Sequence, residues 1–110
     1  MNGSVTISPQ VLTDIVIHTT LEVPGVARMG TVPAKHVAER LRGSASDHGV
    51  VARVDGSVQV DLYLVAQYDV NLLDLGTEVQ SAVVKALSEL VGLPVQEVNI
   101  VIQEVEATGG

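Results

Sequence analysis

No cysteine occurs among the 110 residues. Disulfides, thiol nucleophiles and thiolate-based zinc sites are thereby excluded, and the composition fits a reducing compartment. Phenylalanine and tryptophan are absent as well, leaving Tyr63 and Tyr68 as the aromatic residues. A core must be packed from Val, Leu, Ile and Ala, without the aromatic walls that usually grip a drug-sized ligand. Positive charge is scarce: six Lys and Arg stand against thirteen Asp and Glu, for a net charge of −7. An acidic body repels phosphate backbones, so neither nucleic acid nor anionic lipid is an expected partner. No charged-then-apolar leader opens the chain, so no signal peptide is expected. No run approaches the ~18–20 apolar residues of a membrane helix, so direct insertion is not expected either. The longest apolar stretch, Val79 to Val91, is broken by Gln80, Ser81, Lys85, Ser88 and Glu89.

What is present is enough for one domain, spanning 1–110. Hydrophobic residues make up 46% of the chain, and a chain of this length buries roughly 65% of its unfolded surface without a staple. Gly3 to Ile7 alternates and reads as a first strand. Ser8-Pro9 marks a helix start, because serine caps free N–H groups and proline suits the first helical position. Val11, Leu12, Ile15, Val16, Thr19 and Val23 then share one helical face. Glu22-Val23-Pro24-Gly25 ends that helix. Val26 to Val32 reads as a strand bent at Gly30, Ala34 to Arg42 as a short helix, and Gly43 to Gly49 as a mobile loop.

Val50 to Val54 and Ser57 to Val65 flank Asp55-Gly56, a two-residue hairpin signal in which both turn residues tolerate positive φ. Val58, Val60, Leu62 and Leu64 face one way in the second strand. Gln59, Asp61 and Tyr63 face the other, until Val65 breaks the alternation. Leu72 to Val91 carries the longest helical stripe, with Leu72, Leu75, Val79, Ala82, Val83, Ala86, Leu87 and Leu90. Gly92 is its stop and Pro94 blocks continuation. Val98, Ile100 and Ile102 alternate as a last strand, and 104–110 reads as a frayed tail. The expected fold is α+β: a mixed sheet of four or five strands, two main helices packed on one face, and a short third helix.

Candidate chemistry is sparse. His18, His36 and His48 lack any second ligand at i+3 or i+4, and a metal site needs three or four converging donors. Asp55, Asp61, Asp69 and Asp74 are each accounted for by a turn, a wet strand face, a helix cap and a first helical turn. There is no Gly-x-Ser-x-Gly elbow, and Gly30-Thr31-Val32-Pro33-Ala34-Lys35 lacks phosphate-loop spacing. No catalytic, cofactor or metal residue is assigned, and no cofactor is expected. Two features remain as partner-binding candidates. The bases Arg28, Lys35, Arg40 and Arg42 make either a docking patch for an acidic or phosphorylated partner, or a solvated helix face. Asp61, Tyr63 and Val65 make either an exposed contact surface or a strand face covered by another element. RNA binding would want a Gly-x-x-Gly loop or stacking aromatics, and neither is here.

Gly3-x-Val5-x-Ile7-Ser8, Glu22-Val23-Pro24-Gly25-Val26, Gly49-Val50, Val58-x-Val60-Asp61-Leu62, Val79-Gln80 with Val83, Gly92-Leu93 and Val98-Asn99-Ile100 occur in that order. In this the chain resembles the bacterial alkaline shock protein family, from Gly3 to about Val105. His18-Thr19-Thr20 and the Gly30 to Gly49 segment depart from the family pattern. The resemblance implies a cytoplasmic accessory or scaffold protein of the envelope stress response, without catalytic residues to carry over. It also implies two lines of relatives, one held at the membrane by a separate anchoring protein and one tied to fatty-acid metabolism.

The expectation is therefore a non-enzymatic, self-associating interaction domain in the cytoplasm, held at the membrane only through a protein partner. It would bind through an exposed strand edge or the Tyr63 face. The alternative is an accessory protein handling a fatty-acyl group in an aliphatic cavity.

Overall fold

The computed structural model of the chain describes residues 2–34 and 44–107, with the backbone alone for 44–47. In chain order the elements are α1 (Pro9–Leu21), β1 (Val26–Met29), β2 (Ser44–Asp47), β3 (Val50–Val54), β4 (Val58–Gln67), α2 (Leu72–Val91) and β5 (Val95–Glu106). They form one five-stranded sheet organised around β4. β1 and β3 both pair antiparallel with β4, β2 pairs antiparallel with β3, and β5 pairs parallel with β4. The sheet is mixed, as expected.

Both helices lie on one face of it. Leu12 and Val16 of α1, and Leu75, Val79, Val83 and Leu87 of α2, share one buried cluster with Val50, Ala52, Val58, Val60, Leu62 and Leu64. The helix ends follow local chemistry. Ser8 Oγ accepts the Gln10 N–H at 3.2 Å, and Pro9 occupies the first turn where its missing donor is harmless. Asn71 Oδ1 accepts the Asp74 N–H at 3.0 Å, and Gly92 closes α2 in the left-handed region at φ 76°.

The structure corrects several expectations. Gly3–Ile7 is not a strand. In a strand Val5 and Ile7 would be buried together, yet Ile7 packs on the core while Val5 is 94% exposed. The α1 buried face is rotated to Leu12, Thr13, Val16 and Thr20, with Val11 exposed. The strand expected over Val26–Val32 ends at Met29, with a bulge between Val26 and Arg28. Part of the expected 43–49 loop is β2, joined to β3 by the tight turn His48-Gly49, where both residues have positive φ. The next hairpin has three loop residues, Asp55 to Ser57, because Val54 pairs with Val58. Glu104 to Glu106 belong to β5 and pair with Val65 to Gln67, so these residues are not frayed. Leu72 and Leu90 of the expected α2 stripe are exposed, and Val91 is buried in the stripe instead. The expected short helix falls, Ala34 apart, outside the described residues.

Candidate functional site: the free edge of the sheet

The strand register sorts the candidate residues into rows across the face of the sheet away from the helices. Arg28 of β1 stands beside Val65 of β4, which stands beside Glu104 of β5. Tyr63 stands beside Val101, and Val51 beside Asp61 and Asn99. The Arg28 row is closed by charge: Nη2 reaches Glu104 Oε2 at 3.3 Å and Nε reaches Glu106 Oε2 at 3.1 Å. The guanidinium therefore spans β4, and its aliphatic stem lies over Val65, which is 1% exposed. Next to it, Gln103 clasps the backbone of Thr31. Its Oε1 accepts the Thr31 N–H at 2.9 Å and its Nε2 donates to the Thr31 carbonyl at 2.8 Å. This clasp holds the segment after β1 beside the backbone of Tyr63, a residue that is 6% exposed. Asp61 is half-buried and accepts from Asn99 Nδ2 at 2.9 Å.

Of the two readings of this face, the burial of Tyr63 and Val65 fits the covered one. Alternation along β4 told which side they face but not that they are buried there. Arg28 is the one base of the candidate cluster among the described residues, and it is paired within the fold. Lys35, Arg40 and Arg42 lie outside the described residues.

What the fold leaves open is the far side of β5. Among the described residues this strand pairs with β4 alone. The direction of its free backbone groups follows from the ladder. The Tyr63 N–H donates to the Gly49 carbonyl and the Tyr63 carbonyl accepts the Gly30 N–H, so odd-numbered β4 residues point toward β1 and β3. Val60, Leu62 and Leu64 accordingly point toward β5. In a parallel ladder the residue opposite such a position points away. Their partners Val98, Ile100 and Ile102 therefore direct N–H and C=O outward. Gln80 Nε2 of α2 donates to the Val98 carbonyl at 3.0 Å, as that direction requires.

Beside this edge runs a groove of about 450 Å³, lined on one wall by Leu72, Leu73, Gly76, Thr77 and Gln80, and on the other by Val98 to Ile100 with Ile102. No charged side chain lines it, on a chain of net charge −7. Six exposed large aliphatic residues, Leu72, Leu73, Val84, Leu90, Val101 and Val105, lie on α2 and β5. Sequence reasoning named strand edges in general but not β5. The signal available was the uncharged run Val98-Asn99-Ile100-Val101-Ile102 between Glu97 and Glu104.

Among the described residues no three His, Asp or Glu converge as metal ligands, and no helix is long and apolar enough to cross a membrane. The fold and its open edge define a small α+β domain with one helical face and one clasped face. The chain belongs to the alkaline shock protein 23 family, described as having a cell envelope-related function, and matches it over residues 1–107. It is 30% identical over 107 residues to uncharacterized protein Spy1535 of Streptococcus pyogenes serotype M6, covering 96% of this chain and 81% of that protein. It is 31% identical over 99 residues to uncharacterized protein YqhY of Bacillus subtilis, covering 89% and 73%. Among solved structures, the copper form of the MamM CTD superposes with a TM-score of 0.53 at 15% identity, covering 91% of this chain and 86% of that one. That likeness concerns the fold.

Proposed function

We propose that this is a non-catalytic scaffold domain serving the cell envelope, which works by associating with copies of itself and with a protein that holds it at the membrane. The observation that carries the reading is the open β5 edge with its uncharged, aliphatic flanks. Unpaired N–H and C=O groups beside exposed apolar side chains are a template for protein contact. Membership in an envelope-related family supports the setting. A fatty-acyl-handling role would want an enclosed aliphatic cavity, whereas the groove along β5 opens to solvent.

The test is recovery of the tagged full chain from native cells, with cytosolic and membrane fractions kept apart, followed by mass spectrometry. Recovery of untagged copies together with an integral membrane protein is expected. Recovery of lipid-synthesis enzymes or a bound acyl species, without either, would overturn the scaffold reading.

A further inference from the structure

We propose that two copies join through β5, antiparallel about a two-fold axis at Val101, so that their sheets run on as one. The inference rests on the self-association reading and adds its surface and register.

The occupant follows from what the edge offers. Before the bulge, the residues whose backbone groups point outward are Val98, Ile100 and Ile102. The Val98 carbonyl is already engaged by Gln80. Beyond Ile102 a bulge at Gln103 interrupts the ladder, since Leu64 pairs with Ile102 and Val65 with Glu104. Among the described residues, an incoming strand therefore finds Ile100 and Ile102 free, two residues apart on a straight run. A second copy read in the opposite direction presents the same two. Ile100 then faces Ile102 of the other copy, each pair exchanging N–H and C=O, and Val101 faces itself as a non-hydrogen-bonded pair. A two-fold at Ile100 would call on the engaged Val98, and one at Ile102 would run through the bulge.

Charge is compatible with this arrangement. Two bodies of net charge −7 repel, so they must meet over a neutral strip. The run Val98 to Ile102 is uncharged, with Glu97 before it and Glu104 after Gln103. Centred on Val101, no glutamate of one copy stands opposite a glutamate of the other. The pairing also covers apolar surface on both faces. Val101 meets Val101 on the clasped face, and Leu72 and Leu73, which line the groove near Ile102, approach their counterparts from the helical side.

The absence of cysteine allows a direct test. Val101→Cys places two thiols across the axis at a spacing that suits a disulfide. Under mild oxidation it should give a covalent dimer, whereas Asn99→Cys, Val105→Cys and His18→Cys should not. In sedimentation velocity over a dilution series, the unmodified chain should dimerise. Val101→Lys sets two ammonium groups face to face and should weaken association by roughly 100-fold. Because it lowers the net negative charge, weakening must come from the local contact. Circular dichroism reports whether the variant stays folded. A monomer at every concentration would overturn both this proposal and the self-association it rests on. A dimer untouched by Val101→Lys, or one cross-linked through another of the cysteines, would overturn the β5 pairing and leave self-association standing.

Discussion

Thr20 is buried in α1 with its hydroxyl unpartnered, whereas Thr13, buried on the same helix, donates to the Gln10 carbonyl at 2.8 Å. A buried hydroxyl without a partner retains the full cost of leaving water. Thr20→Val should therefore raise unfolding free energy by about 1 kcal/mol, and Thr13→Val should lower it by about the same amount. Urea denaturation of the two variants checks the opposite signs. Arg28 offers a second contrast. Its exposed ion pairs with Glu104 and Glu106 contribute no more than about 1 kcal/mol, but its stem also shields Val65. Arg28→Met should keep most of the stability that Arg28→Ala loses. If the two lose equally, and molar salt abolishes the difference from the parent chain, the charge alone matters. Neither threonine was legible in advance. Aliphatic spacing located the helix, but Val11, Leu12, Ile15, Val16, Ile17 and Leu21 are spread around it and do not fix its rotation. Arg28 was legible as a base and not as a clasp, because its partners lie over seventy positions away.

At the level of elements, the sequence was most readable where local chemistry is sufficient. The buried positions Leu75, Val79, Val83 and Leu87 of α2 repeat at helical spacing between an asparagine cap and a left-handed glycine. Gly92→Ala should cost about 1 kcal/mol for putting a Cβ into the left-handed region. Leu87→Ala should cost roughly 2–5 kcal/mol by opening the core, while Leu73→Ala, at an 84% exposed site, should leave monomer stability within about 0.5 kcal/mol. Thermal or urea unfolding under conditions that keep the chain monomeric measures all three. β2 escaped notice because Ser, Ala, Ser and Asp are poor strand formers. It is held by pairing with β3 across His48-Gly49. That dipeptide was the available signal, of the same kind as Asp55-Gly56. The end of β5 escaped for a related reason. Its last residues are mostly polar, yet the ladder to β4 continues through Glu106.

For the whole molecule, strand order is what the sequence did not disclose. Alternation separates the two faces of β4 but does not say which strand ends up with a bare side. A parallel partner arriving after α2 takes one flank of β4, and nothing among the described residues flanks it in turn. The contact surface proposed here is therefore centred on Val101, the neighbour of Tyr63 on the same row. A dimer joined at that edge is stabilised by mass action, so the melting temperature should rise with protein concentration. The rise should vanish in Val101→Lys. Differential scanning calorimetry at several concentrations checks this.

β1 and β3 meet end to end along a single flank of β4, at a point where Gly49 lies against the carbonyls of Gly30 and Tyr63. A Cβ at Gly49 would sit 2.7 Å from the Tyr63 carbonyl oxygen and 2.8 Å from that of Gly30. This junction makes the sheet's middle strand a spine with a joint in it. Solvent deuterons should reach its amides in two batches, with Gln67 released when the β1 half swings away and Gln59, Asp61 and Tyr63 held until the β3 half lets go.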